Sequence, residues 1–164
     1  MKRVVLILLV MGMITSGCSN HERLTWYETK EEAIEQGVQV EGADLVSILS
    51  VEEFEGAMFV IYEKGDALGI ASIAESDQGY AWYRSSPYYG FDGDVPMQSI
   101  GVVTETYSGE EVSAIAGKVN DSLITSVKAS GGAMLDVHHP SGLFYLLHDG
   151  HMDLSEVEAM EGES

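Results

Sequence analysis

Cysteine is nearly missing from this 164-residue chain: Cys18 is the only one. No disulfide can form within one chain, so a folded domain here must be held by its core. Basic residues are scarce too. Eight Lys and Arg stand against 27 Asp and Glu, for a formal charge of −19. The basic residues are scattered. Nucleic-acid binding needs a basic patch to neutralise phosphates, so that class is excluded. Anionic lipid headgroups would also repel such a chain. A membrane-spanning apolar run is lacking. Residues 4–14 carry no charge, but 11 residues fall short of the roughly 20 that a spanning helix needs. Enzyme signatures are absent as well: there is no Gly-x-Ser-x-Gly, P-loop, Gly-x-Gly-x-x-Gly or His-Glu-x-x-His. With 27 acids, acidic pairs arise by chance, and none marks a glycosidase. The expectation is a non-enzymatic protein without a cofactor.

What is present begins at the N-terminus. Lys2 and Arg3 precede the apolar run, and the small residues Thr15, Ser16 and Gly17 lead directly to Cys18. A positive start, a short apolar stretch and small residues before a cut form a signal peptide. These residues resemble the leader of a bacterial lipoprotein precursor. The resemblance implies that the Cys18 thiol is acylated with diacylglycerol and that cleavage after Gly17 leaves Cys18 first. It departs from the family pattern at Thr15, where Leu, Val or Ile is usual; Ile14 lies one place early. The other readings are a free thiol in a secreted protein, or an uncleaved anchor helix. The polar residues Asn20, His21, Glu22 and Arg23 argue against the helix. Two acyl chains, at about 0.8 kcal/mol per buried methylene, hold where one is marginal. The expected location is therefore the extracytoplasmic face of the membrane, anchored and not spanning. Loss of residues 1–17 removes Lys2, Arg3 and no acid, leaving six basic residues and a formal charge of −21.

The remaining chain is long enough for one domain with one core. Residues 18–28 read as the lipidated cysteine and tether, 29–149 as a single domain, and 150–164 as an acidic tail, a frayed helix or disordered. Thr29 with Glu32 predicts a capping box and a helix over residues 30–36, with Gly37 just past its end. Ala33, Ile34 and Val38 are its expected buried contacts. Strands are predicted near 44–52, 57–63, 68–75, 80–85, 99–107, 112–119, 123–129, 132–138 and 143–149, separated by Gly- and Asp-bearing turns. Residues 57–63 are apolar on both alternating sets, as in a strand covered on both faces. Residues 85–96 hold two of the three prolines and predict a loop. The fold class is α+β: mainly antiparallel β, eight or nine short strands in one curved sheet or two packed sheets, with one short N-terminal helix.

The segments "ETKEEAIEQG", "YEKGDALGIASIA", "AWYRSSPYYGF" and "GKVNDSLITSV" are together similar to small exported proteins and lipoproteins of Bacillus-type bacteria. That resemblance implies an envelope location and supplies no catalytic residues.

Two groups of residues could carry chemistry. In a strand over 80–85, Tyr80, Trp82 and Arg84 share one face, with Tyr88 and Tyr89 in the loop beyond. Aromatics beside an arginine can stack on a sugar, a peptide or an aromatic ligand, and the arginine suits a carboxylate. The same rings could instead complete the core and pin the loop. The second group is His138, His139, His148 and His151, near Asp136, Asp149 and Asp153. Imidazole and carboxylate ligate zinc, nickel or copper. A hairpin of 132–138 with 143–149 would bring His138 towards His148, although alternation can place them on opposite faces. Asp92 and Asp94 match only part of a calcium loop. The leading expectation is a membrane-anchored binding module with an envelope protein or glycan partner; the alternative is a metal-binding protein using the C-terminal histidines.

Overall fold

A computed structural model describes residues 24–150, 154 and 157–162, without the side chains of Val46 and Ser130. Residues 1–17, Cys18, His151 and Asp153 lie outside the described residues.

The chain first runs beside a strand, where the backbones of Tyr27 and Tyr80 exchange hydrogen bonds of 2.7 and 2.9 Å. Helix α1 (Lys30–Val40) follows, capped by Thr29, whose Oγ1 accepts from the Glu32 N–H at 3.1 Å. Such a cap is worth about 1 kcal/mol. Ala33 and Val38 are fully buried, and Ile34 packs against the cluster of Ala33, Val60 and Ile73. The helix runs past the predicted end at residue 36. Gly37 lies inside it, and the left-handed glycine that closes it is Gly42, at φ 72°. Residues 45–47 form a 3₁₀ turn, not the start of a strand, because Asp44 and Ser47 satisfy each other's polar groups.

Three antiparallel sheets follow. In the first, β1 (Ile48–Phe54), β2 (Ala57–Lys64), β3 (Ala67–Ser76) and β4 (Gly79–Tyr83) are consecutive hairpins, and β5 (Tyr89–Gly90) pairs with β3. The second holds β6 (Met97–Glu105), β7 (Glu111–Val119) and β10 (Leu143–His148), with β7 central. The third holds β8 (Ile124–Lys128), β9 (Met134–Asp136) and β11 (Glu158–Glu161), with β8 central. This is the α+β, mainly antiparallel class read from the sequence. The described residues carry eleven strands in three sheets, against an expected eight or nine in one or two. The additions are β5 and β11.

Alternation along each strand stacks these sheets. Phe59, Ile61, Leu68 and Ile70 face the second sheet and meet Val112, Ala114, Leu143 and Leu147. Val60 and Ile73, on the opposite face, meet Ala33 of α1. The far face of the second sheet, with Ile115 and Phe144, packs on Ile124, Val127 and Leu135 of the third. The order of layers is helix, sheet, sheet, sheet. Each large side chain fully buried in this way stabilises by about 1.5–3 kcal/mol. Residues 59–62 are fully buried on both faces, as their apolar pattern predicted.

Two expectations fail here. Residues 132–138 and 143–149 do not form a hairpin: β9 pairs with β8, β10 pairs with β7, and His138 with Leu143 is an isolated bridge between them. Leu143, Phe144 and Leu147 need apolar cover on two faces, and a place beside central β7 provides it. The acidic tail is not simply frayed or disordered, since Glu158–Glu161 pairs with β8. Glu158 stands opposite Lys128 and Ala159 opposite Val127, while Val157 packs on the core. Main-chain pairing satisfies the edge of β8 whatever the polarity of the side chains supplied.

Candidate functional site

The C-terminal end of α1 meets β4 where Trp82 crosses Gly37. A Cβ on Gly37 would lie 2.2 Å from Cδ2 of the Trp82 ring, so only glycine lets helix and ring approach this closely. One residue beyond the helix, Glu41 gathers the site. Its Oε1 accepts from Arg84 Nε at 2.9 Å and Trp82 Nε1 at 3.4 Å, and its Oε2 accepts from the Tyr88 hydroxyl at 2.6 Å. The Tyr62 hydroxyl donates to Tyr88 at 3.2 Å. Arg84 also donates to the Ser86 carbonyl.

The rings complete the cluster. Tyr62 meets Trp82 edge-on at 5.4 Å and Tyr88 at 6.0 Å. The Arg84 guanidinium and the Lys64 ammonium stand over the Tyr88 ring, at 4.5 and 4.8 Å from its centroid. Burial pushes the Glu41 carboxyl up. The hydrogen bonds from Arg84, Tyr88 and Trp82, with the Arg84 charge, outweigh burial and hold it below the ordinary range. Burial, and then the hydrogen bond between them, push the Tyr62 phenol well up; burial and the bond to Glu41 raise Tyr88.

These contacts change what the sequence suggested for Arg84. It is not a lone cation waiting for a carboxylate, because Glu41 already fills that role and Lys64 lies nearby. Trp82, Arg84 and Tyr88 come together as expected. Tyr80 is on their sheet face but stands apart, with its hydroxyl towards Glu75 at 3.5 Å. Tyr89 belongs to β5 and packs against the core between the first two sheets.

Beside this cluster opens a cleft of about 220 Å3. Trp82 and Arg84 form one wall, Gln36 and Val40 of α1 the other, and Leu24 and Thr25 close an end. Val40, the last residue of α1, is apolar and yet 82 % exposed.

The histidines lie apart. His138 stacks on Tyr145 with ring centroids 5.6 Å apart and planes 10° from parallel. His139 is exposed. His148 ends β10, five residues from the His138 bridge at Leu143, so about 17 Å away along the strand. Among the described residues no three His, Cys, Asp or Glu converge to hold a metal ion; His151 and Asp153 are outside them.

Glu41, Tyr62 and Lys64 are not among the site residues the sequence suggests, and Gly37 reads there only as a helix stop. Glu41 did carry a signal: a carboxylate at a helix C-terminus opposes the helix dipole and calls for a cation. No protein-family model, no curated protein and no solved structure matches the chain.

Proposed function

We propose that this protein is a lipid-anchored, extracytoplasmic, non-enzymatic binding module that engages another protein of the cell envelope through the cleft at Val40 and Trp82. The Lys2–Arg3 start, the short apolar run and Cys18 after small residues support the anchor. The observation that carries the choice of surface is that Leu24 and Thr25 line the cleft. Five residues lie between Cys18 and Leu24, a reach of at most about 22 Å. An anchored domain would hold this cleft close to the membrane surface, within range of other envelope proteins.

Size favours a protein partner over a free small molecule. Pockets for whole small ligands run from roughly 300 to 1,000 Å3, and this cleft is smaller, at about 220 Å3. It matches one anchoring side chain from a partner, seated on Trp82 and rimmed by Gln36, Glu41 and Arg84.

The test is crosslinking in the native cells followed by mass spectrometry, comparing wild type with Val40→Lys. Val40 is exposed and ends a helix, where a cation suits the dipole, so the variant keeps its fold. Loss of a specific crosslinked protein in the variant is expected; an unchanged set of crosslinks would overturn the assignment.

A further inference from the structure

The second sheet ends on β6. Across the turn that follows it, the Thr106 N–H donates to the Glu110 carbonyl at 2.9 Å, so the even-numbered residues of β6 bond to β7. The odd-numbered residues turn their N–H and C=O groups outwards. Glu105 shows this, since its N–H donates to Ser85 Oγ at 2.7 Å and not to β7. Among the described residues, no main chain pairs with Ser99, Gly101 or Val103 on that outer side. We propose that this edge pairs with the same edge of a second copy of the chain, antiparallel about Gly101. The inference rests neither on the Val40 cleft nor on the anchor.

An unpaired edge invites association, and folded proteins blunt it with charge, proline, a bulge, brevity or cover. The other edges are treated in this way. β1 carries Glu52, Glu53 and a bulge, β4 is flanked by Tyr27, and β10 is bridged by His138. β9 is three residues long, and β11 is acidic. β6 has none of these devices along its middle. It keeps an unbroken register with β7 over nine residues, and residues 97–104 contain neither a charge nor a proline. Val103 on it is 55 % exposed. A hollow of about 290 Å3, lined in part by Gly101, Val103 and Leu154, lies beside it.

The occupant follows from the limits of the open stretch. Ser85 closes the edge at Glu105, and Pro96, which has no N–H, stands before Met97. What stays open is centred on Gly101. A two-fold axis there sets Ser99 of each copy opposite Val103 of the other. Three such pairs exchange about six main-chain hydrogen bonds, two for each pair. Ile100 of each copy then meets Val102 of the other, a pairing of β-branched side chains. Glu105 falls opposite Met97, so no carboxylate meets another. A basic partner would call for carboxylates along the edge, and this acidic chain places none within residues 99–103.

The test is sedimentation equilibrium of the full-length protein in a density-matched nonionic detergent, with amide exchange read over residues 99–103. The contact is short, so a weak dimer is expected, filling as the protein approaches about 1 mM. Two acidic copies repel, so about 0.5 M sodium chloride should tighten it. Gly101→Pro removes the N–H at the axis and leaves the ladder to β7 intact; it should weaken the dimer about tenfold or more. Val103→Lys, at an exposed position, should do the same, although a cation lowers the overall repulsion. Val51→Lys, the same change at an exposed position on β1, should leave the dimer unchanged. Edge amides should exchange more slowly as concentration rises in wild type and Val51→Lys alone. A wild type that stays monomeric throughout would overturn the proposal. So would a dimer that both edge variants leave intact, since it would form through another face or through detergent.

Discussion

At the residue scale, the site turns on Glu41. It is an acid at the negative end of a helix, a placement that ordinarily costs some tenths of a kcal/mol. Arg84, Tyr88 and Trp82 reverse that, each with a hydrogen bond to the same carboxylate. Glu41→Gln leaves Arg84 without its partner and should lower stability by about 1–3 kcal/mol in denaturant melts at neutral pH. The sign of the pH dependence follows. The Glu41 carboxyl is held below its ordinary value of 4.5, so its contribution is complete above that pH and is lost as pH falls through the lowered value. Melts of wild type and Glu41→Gln should therefore stay a constant distance apart above about pH 5 and draw together as pH falls below 4.5. Gly37 is the partner in this design. Gly37→Ala would put a methyl into the Trp82 ring and should cost about 1–3 kcal/mol, read as a lower melting temperature with reduced Trp fluorescence contrast.

At the element scale, most strands were legible because hydrophobic alternation and Gly- or Asp-bearing turns mark them. Nine predicted segments correspond to observed strands. What escaped has physical causes. β5 is two residues long and sits among Pro87 and glycines, and β11 is acidic; both are held by main-chain pairing, which leaves no side-chain pattern. Gly37 was misread as a helix stop because a glycine that makes room for a ring looks in sequence like one that ends a helix. The site was half legible for the same reason: Trp82, Arg84 and Tyr88 stand out by type, whereas Glu41 and Tyr62 meet them only through tertiary packing. Phe144 tests the layer order. It faces the third sheet, fully buried, with its ring over Gly117. Phe144→Ala should lower stability by about 3–5 kcal/mol and raise amide exchange in β8 before β2, since β2 lies in the other core.

At the scale of the whole molecule, a formal charge of −19 dominates, and the proposed cleavage after Gly17 would make it −21. Only two ion pairs join described residues, Arg84 with Glu41 and Lys118 with Asp66. The compact state is therefore under self-repulsion, which salt screens. Raising sodium chloride from about 20 mM to about 0.5 M should raise the melting temperature by a few degrees. The same charge opposes binding to anionic lipid, so in the proposed reading attachment would rest on the lipid at Cys18 alone. The central claim, that this domain works from a lipid on Cys18, is tested most directly by mass spectrometry of the N-terminal peptide from native membranes. A peptide beginning at Cys18 and carrying a diacylglyceryl group is the expected result; an unmodified N-terminus at any residue after Gly17 would contradict it.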